Sequence, residues 1–245
     1  WERAVKHLAD LGKLQNKSLI LTGSNAYDLK YGTERLPGRR GVDSDLDKIL
    51  YPMSFYDFVE LKRFDLLSEF KSKNWKQIKN AYQLNQKMLR KLFDKYLLSG
   101  GIISNINDIE GKGEIRLNKY LEYLNWTLGD LIKLGKKETL TRNILLEIIK
   151  TATSSLGWDT IAKKVAVSHV TVSEYVEILE LVFVLKTVYQ ADLNTGLLEL
   201  KKNKKIYFTD PFIFWSFYGW IMSFGNYFEE SKKILLNTEF KAKLI

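Results

Sequence analysis

Acidic residues alternate along a short run of the sequence, and their spacing limits what they could bind. Asp43, Asp45 and Asp47 occupy every second position, as the first oxygen ligands of a calcium-binding loop do. Such a loop also needs glycine at its sixth position and glutamate at its twelfth, where this sequence has Lys48 and Ser54. The run is therefore not a calcium-binding loop.

A second chemistry that this acidic run allows is phosphoryl transfer. Small nucleotidyltransferases place a Gly-Ser pair ahead of an Asp-x-Asp that holds two metal ions for in-line attack on a phosphate. Gly23-Ser24 precedes Asp45 and Asp47 here. The two features are 22 residues apart, about double the spacing in that family, and a Pro-Gly-Arg loop lies between them. A nucleotidyltransferase is therefore the weaker alternative.

Residue types exclude several other sites. The sequence has no cysteine, and His7 and His169 are far apart, so thiolate zinc sites and cysteine nucleophiles are absent and we expect no metal. Neither Gly-x-x-x-x-Gly-Lys-[Ser/Thr] nor Gly-x-Gly-x-x-Gly occurs, so nothing in the sequence cradles a triphosphate unaided. No apolar run approaches the ~20 residues that cross a bilayer, and no signal peptide precedes the first helix. We expect a cytoplasmic protein with no membrane partner.

Basic residues are in excess and they are clustered. The 245 residues include 38 Lys and Arg against 29 Asp and Glu, a net charge of +9. Ten basic residues lie between Lys62 and Lys95, opposed by three acidic ones. A second cluster consists of Lys201, Lys202, Lys204 and Lys205. Clustered cations favour a polyanionic partner, although a solvated helix face also accounts for the longer run.

The elements that would position these residues begin with an α/β pattern. Residues 2–14 have helical spacing, with Gly12 suited to a C-cap, and residues 18–22 have the apolar composition of a buried parallel strand. Residues 48–51 are a second candidate strand, ended by Pro52. The loop between them carries Arg35, Arg39 and Arg40. Such a loop lies where parallel sheets place their ligands, beyond the carboxyl end of a strand.

The rest of the chain is mostly helical. Residues 55–70, 75–98, 115–134 and 138–154 show 3.6-residue periodicity, which predicts a helical lid that begins near residues 71–74. Residues 211–245 are rich in aromatic side chains and predict helices that pack in a core or an interface.

Residues 157–210 predict a winged helix-turn-helix. A short helix over 159–165 is followed by a turn, and Ser168 can cap a second helix over 170–181. Strands at 182–189 and 205–209 then flank Asn194-Thr195-Gly196 and supply a wing. The second helix would offer His169, Thr171 and Ser173 to DNA bases, and the four lysines of the wing to phosphates. Its exposed carboxylates, Glu174, Glu177 and Glu180, would repel phosphates, so we expect weak DNA binding with little sequence preference.

Three motifs, in this order, resemble those of a family of prokaryotic, archaeal-type AAA ATPases with a C-terminal winged helix. They are Leu19-Ile20-Leu21-Thr22-Gly23-Ser24-Asn25-Ala26, then Glu34-Arg35-Leu36-Pro37-Gly38-Arg39-Arg40-Gly41, then Tyr51-Pro52-Met53-Ser54-Phe55-Tyr56-Asp57-Phe58. Ser99-Gly100-Gly101, the helix-turn-helix and residues 205–210 continue the resemblance over nearly the whole chain.

The resemblance implies roles for four residues near a nucleotide. Ser24 and Asn25 match the polar sensor that orients the attacking water, and Arg39 matches a position that meets the γ-phosphate. Thr22, Ser24 and Arg39 would contact ATP. From the residues alone, Arg39 could instead pair with a nearby carboxylate, and Ser24 could cap the strand end.

The family's phosphate loop (Walker A) and Walker B acids have no counterpart here. Because residues 1–11 resemble the helix that follows the Walker B strand, and Trp1 opens the sequence, we expect an internal fragment of a longer ATPase. ATP and Mg²⁺ would bind the intact protein, and neither is expected in this chain alone.

These observations predict a mixed α/β, mostly helical fold made of four parts. Residues 1–70 would be the C-terminal part of a parallel P-loop-type core, 71–156 the helical lid, 157–210 the winged helix, and 211–245 the start of a further domain. The function expected is that of the sensor, lid and winged-helix portion of an ATP-driven switch ATPase. The alternatives are a freestanding winged-helix regulator that binds double-stranded DNA, or one that docks a protein partner; the oligomeric state is left open.

Overall fold

A computed structural model describes residues 1–23, 29, 32, 33, 35, 36, 46–71, 74–152 and 154–241. The described chain is mostly helical, with one small two-stranded antiparallel sheet. The helices whose bounds it defines are α1 (Glu2–Asp10), α2 (Phe55–Lys62), α3 (Phe64–Phe70), α4 (Trp75–Ser99), α5 (Ile103–Lys112), α6 (Leu117–Lys133), α7 (Glu138–Lys150), α8 (Trp158–Val165), α9 (His169–Leu181), α10 (Pro211–Met222), α11 (Tyr227–Ile234) and α12 (Thr238–Lys241), and the strands are β1 (Leu185–Val188) and β2 (Lys205–Phe208). None of these helices combines the length and the apolar composition that a membrane span requires.

The N-terminal helix is present, but the two strands predicted near it are not. Helix α1 ends before Gly12, whose φ of +69° is a conformation that favours glycine. Residues 18–23 and 46–54 have neither helix nor strand, and Ile20 is 82% exposed and Leu50 99% exposed. Neither segment is a strand in this structure, because a parallel strand is formed by hydrogen bonds to neighbouring strands, and no strand lies beside these segments in the described part of the chain.

Helices α2, α3 and α4 form one side of the molecule. Ser54 caps α2: its Oγ accepts a hydrogen bond from the Asp57 N–H. The Asp57 carboxylate accepts hydrogen bonds from the Ser54 hydroxyl and the Ser54 N–H, and these lower the pKa of Asp57. The helix predicted over 55–70 is broken at Arg63, whose φ and ψ of −149° and 66° are not helical. Asn74 caps the long helix α4.

The predicted helix, turn, helix and strand pair lie at the expected place in the sequence. Helices α8 and α9 are joined by the turn 166–168, and the Ser168 Oγ accepts a hydrogen bond from the Thr171 N–H at 3.0 Å, as predicted for a cap. Strands β1 and β2 pair antiparallel, with Leu185 opposite Phe208 and Val188 opposite Lys205. Both strands are shorter than the sequence predicted.

One hydrophobic core runs from Leu97 at the end of α4 through α6, α7, α8, α9, the sheet and α10 to Leu235. Helix α10 is at its centre, because Phe214, Trp215 and Phe217 are all buried, and the Trp215 Nε1–H donates to the Leu97 carbonyl oxygen at 2.7 Å. Burial of such large aromatic side chains is the main favourable term in folding. The helices predicted as lid, helix-turn-helix and C-terminal segment therefore pack together.

Candidate functional site

A buried carboxylate joins two helices that are far apart in the sequence. Asp210 is 2% exposed, and its Oδ2 accepts a hydrogen bond from the Gly101 N–H at 2.6 Å. Its Oδ1 accepts another from the Phe212 N–H at 2.7 Å, which caps α10. The side chain of Asp210 thus ties the chain that leaves α4 to the N-terminus of α10.

The glycine pair after α4 is required by this arrangement. Gly100 has a φ of +61° and a ψ of −166°, a region that is essentially restricted to glycine. A Cβ on Gly100 would overlap the Oδ1 of Asp210, and a Cβ on Gly101 would overlap the backbone of Met53. The absence of side chains at these two positions therefore lets three backbone segments meet.

The third segment is residues 51–54, which lead into α2. The Met53 N–H donates to the Gly101 carbonyl oxygen at 3.0 Å, and the Tyr96 hydroxyl donates to the Met53 carbonyl oxygen at 3.1 Å. The Tyr51 ring lies edge-on to Phe183, with 6.2 Å between ring centroids. Phe183 belongs to the turn between α9 and β1, so residues 51–54 also reach the helix-turn-helix. We call this meeting point of residues 51–54, Gly100-Gly101 and Asp210 the Asp210 junction.

The electrostatics of the junction follow from its burial. Burial raises the pKa of the Asp210 carboxyl to about 6, while hydrogen bonds from the N–H groups of Gly101, Phe212 and Ile213 lower it. Burial and the charge of Asp210 raise the pKa of Tyr96 to about 12. Because backbone donors reach both oxygens of Asp210, the carboxylate holds these segments together.

Most residues predicted to contact the nucleotide lie outside the described part of the chain. Ser24, Asn25 and Arg39 are among them, so their roles stay predictions. Thr22 is described and is exposed. Nearby, the Arg35 Nη1 lies 2.7 Å from the Glu2 Oε1, an ion pair that joins this segment to α1.

The three residues predicted to contact DNA bases lie near the start of α9, where His169 and Ser173 share one face and Thr171 is turned about 200° from His169. His169 is exposed, and its Nδ1 is 3.6 Å from the Asp159 Oδ1 at the start of α8. Thr171 and Ser173 are half-buried, and the Thr171 Oγ1 shares a hydrogen bond with the Ser168 Oγ at 2.9 Å. Thr171 is thus partly engaged in capping its own helix.

Two of the three carboxylates on α9 have partners. The Glu174 Oε2 is 3.1 Å from the Lys136 Nζ. The Glu180 Oε1 accepts a hydrogen bond from the Thr187 N–H at 2.6 Å, so Glu180 is half-buried and holds β1, where the sequence predicted an exposed side chain. Glu177 is exposed. The negative charge that this helix presents to solvent is therefore smaller than the sequence suggested.

The four lysines predicted to lie on a wing differ in their surroundings. Lys201 and Lys205 are exposed, and the Lys202 Nζ is 2.6 Å from the Glu199 Oε2. Lys204 is 2% exposed; its Nζ donates to the Leu200 carbonyl oxygen at 3.1 Å and lies 4.2 Å from the centroid of the Trp158 ring. Burial lowers the pKa of Lys204. In this conformation a phosphate can reach the other three lysines but not Lys204.

The basic run between residues 62 and 95 divides into paired and unpaired cations. Lys62, Arg63 and Lys71 pair with Glu110, Asp65 and Glu60 respectively. The basic side chains of α4 are exposed and make no ion pair with described residues. They are Lys76, Lys79, Lys87, Arg90, Lys91 and Lys95. At 100° per residue they fall within an arc of about 160°, and they extend over about 28 Å of the helix. We call this surface the α4 cation stripe.

Sequence reasoning did not identify the Asp210 junction as a site. Asp210 followed by Pro211 is a typical start of a helix, and Gly100-Gly101 is a typical sign of a special backbone conformation. These local signals predict each feature separately. A contact between residues 109 positions apart is not encoded in either of them.

Comparisons with known proteins place the chain in a family without an assigned activity. No curated protein and no solved structure matches it. A family model with the description Domain of unknown function (DUF8612) matches residues 90–221, a span that includes Gly100-Gly101, the α8–α9 pair, the sheet and Asp210. Because this match covers more than half of the sequence, the chain belongs to the family of the Domain of unknown function (DUF8612).

Proposed function

We propose that this chain is the sensor, lid and winged-helix portion of an AAA-type ATP-dependent switch ATPase. In such a protein the nucleotide state of a parallel P-loop-type core moves the lid and the winged helix. Residues 1–70 would belong to that core, and the remaining elements would respond to it.

The observation that carries the proposal is the Asp210 junction. Three of the segments that resemble the ATPase family (residues 51–55, 99–101 and 205–210) are distant in sequence, yet they meet there through the Met53–Gly101 and Gly101–Asp210 hydrogen bonds. Residues 51–54 follow the Gly-Arg loop in the sequence. A displacement of that loop would therefore reach α4 and α10 through the junction, and the α9–β1 turn through the Tyr51–Phe183 contact.

Exposed apolar side chains on the N-terminal part support the same proposal. Leu19, Ile20, Ile49 and Leu50 are all exposed, although apolar runs of this kind are typical of strands covered on both faces. Further strands beside residues 18–22 and 48–51 would bury them. A larger parallel sheet, as the proposed ATPase core requires, accounts for this composition.

The described residues do not fit a complete site for ATP and Mg²⁺. The sequence contains no phosphate loop, and no three His, Asp or Glu side chains in the described ranges are close enough to hold a metal ion. We therefore assign nucleotide binding to the part of the ATPase that carries the phosphate loop. From this chain, Arg39 would contribute positive charge near the γ-phosphate.

A second candidate function is that of a winged-helix regulator that binds double-stranded DNA. The α4 cation stripe and the exposed Lys201 and Lys205 favour it, because unpaired cations in a row suit a phosphate backbone. Docking of a protein partner is the alternative if no DNA is bound.

The experiment that tests the first proposal is to sequence the gene upstream of the codon for Trp1. A reading frame that encodes a phosphate loop and then an acidic strand supports the switch ATPase. An uninterrupted upstream frame without a phosphate loop, or a start codon directly before Trp1, would overturn it and leave the regulator.

A further inference from the structure

An apolar cavity of about 490 Å³ lies between α2, α3 and α4. Its lining includes Phe55 and Val59 from α2, Phe70 from the end of α3, and Leu89 and Phe93 from α4. Cavities that bind small molecules have volumes of roughly 300–1,000 Å³ and mostly apolar walls, with a few polar groups that orient the ligand. The size and the lining of this cavity fit that description.

Arg90 is the one charged residue in the lining that the structure describes. It is exposed at the mouth of the cavity, and its guanidinium makes no hydrogen bond or ion pair with described residues. The carboxylates of α2 and α4 have other partners: Asp57 is hydrogen-bonded to Ser54, Glu60 pairs with Lys71, and Asp94 pairs with Lys241. Among the described residues, the Arg90 guanidinium beside this apolar cavity therefore has no counter-ion.

We propose that this cavity binds a single-chain anionic amphiphile, a long-chain carboxylate. Its alkyl chain lies between α2, α3 and α4, where the aromatic and aliphatic side chains shield it from water. Its carboxylate accepts hydrogen bonds from the Arg90 guanidinium, whose planar shape matches a carboxylate in a bidentate pair.

This site is separate from the Asp210 junction and does not depend on nucleotide binding. No residue of the junction lines the cavity. The tests below therefore show whether the cavity binds an amphiphile. Their outcome does not depend on whether the chain is part of an ATPase.

The first test is calorimetric titration of the 245-residue chain with hexanoate, octanoate, decanoate and dodecanoate, each below its micelle-forming concentration. Every two added methylene groups should lower the Kd by about 15-fold, because each buried CH₂ contributes about fourfold. The gain in affinity should stop when the alkyl chain of the ligand fills the cavity. Affinity that does not change with chain length, or no binding of any member at millimolar concentration, overturns the proposal.

The second test separates the head group from the chain by means of two matched variants. Arg90→Gln should weaken decanoate binding at least tenfold and leave binding of 1-decanol unchanged. Lys91→Gln removes the same charge from the same helix outside the cavity lining, and it should weaken decanoate less than threefold. Equal effects of the two substitutions would show that Arg90 is not the carboxylate ligand.

A third variant tests whether the alkyl chain of the ligand lies in this cavity. Val59→Phe places a larger side chain in the cavity and should weaken decanoate and 1-decanol alike. Circular dichroism checks that it folds; if it does not, the Arg90 and Lys91 pair still decides the proposal, because both side chains are exposed.

Discussion

Asp210 is a buried acidic group whose ionisation is coupled to folding. Its carboxyl has a pKa of about 6 in the folded protein, raised by burial, against a value of about 4 for an unfolded chain. The folded state therefore holds the proton more tightly than the unfolded state does. The stability that comes from this group is fully present below pH 4 and is lost as the pH rises through 6.

The pH dependence can be isolated with Asp210→Asn, which does not titrate. Between pH 4 and pH 7 the wild-type protein should lose on the order of 3 kcal/mol of unfolding free energy relative to this variant. Urea unfolding of both proteins at four pH values measures the difference, in which the other titrating groups cancel. A difference that stays constant over this range would mean that the hydrogen bonds from Gly101 and Phe212 keep the carboxylate ionised throughout.

Gly100 should be among the least replaceable residues of the protein. Gly100→Ala strains the backbone and pushes the new Cβ into the Oδ1 of Asp210, so we expect a loss of at least about 2 kcal/mol of stability. Gly129→Ala is the matched control, because Gly129 lies inside α6 and a Cβ there meets nothing within 4 Å. It should stabilise the protein by up to about 1 kcal/mol.

Thermal unfolding of the two glycine variants measures this contrast. A Gly100→Ala protein that melts within a degree of the wild type would show that the chain can relax around the junction. In that case Asp210 does not require the glycine pair.

At the scale of elements, the helices were predictable from sequence and the N-terminal strands were not. Helix α9 could be predicted because its cap, Ser168, and its buried face are encoded within a dozen neighbouring residues. A strand depends on partners elsewhere in the chain, and residues 18–22 and 48–51 have none in the described part. The break at Arg63 was missed as well, because periodicity continues across a single residue that leaves the helical conformation.

The candidate site shows the same division between local and distant information. That His169 and Ser173 share a face of α9, and that Thr171 does not, follows from their spacing of four and two residues in one helix. The burial of Lys204 does not, because it depends on the ring of Trp158, which starts α8 far earlier in the sequence. Charge counting along the sequence treats the four lysines as equivalent. Packing makes them differ in exposure, because Lys204 is buried and the other three are exposed.

If residues 157–210 bind duplex DNA as a winged helix, Lys201 and Lys205 should determine part of the salt dependence, because they are exposed and make no ion pair with described residues. The double variant Lys201→Gln/Lys205→Gln should make the log–log slope of affinity against salt less steep by about 1.8, since each phosphate contact contributes about 0.9. Fluorescence anisotropy with a labelled duplex between about 50 and 200 mM salt measures the slope. The double variant Lys232→Gln/Lys233→Gln changes the same charge on α11 and should leave the slope unaltered.

Two results would argue against this role of the wing. If both double variants shift the slope equally, binding follows net charge and not the wing. If the wild-type chain binds no duplex even at ~50 mM salt, the helix pair and sheet are better explained as a protein-docking module.

At the scale of the whole molecule, the resemblance to a switch ATPase makes a negative prediction about the isolated chain. In phosphoryl-transfer enzymes the phosphate loop and the metal ligands supply most of the contacts to the β- and γ-phosphates, and this sequence has no phosphate loop. Calorimetric titration with Mg-ATP should therefore show no binding tighter than about 1 mM, which corresponds to about −4 kcal/mol. The side chains of Thr22, Ser24 and Arg39 alone cannot supply the missing contacts, because they belong to one side of the proposed nucleotide site.

Micromolar binding of Mg-ATP would contradict the prediction and favour a nucleotidyltransferase, in which Asp45 and Asp47 hold the metal ions. The variant Asp45→Asn/Asp47→Asn distinguishes binding through metal ions at these two carboxylates from binding at another place in the chain. A nucleotidyltransferase should lose affinity for Mg-ATP in this variant by more than tenfold, because two divalent cations lose their carboxylate ligands. Binding that survives both substitutions would locate the nucleotide elsewhere, and Arg39→Ala would then test the Gly-Arg loop directly.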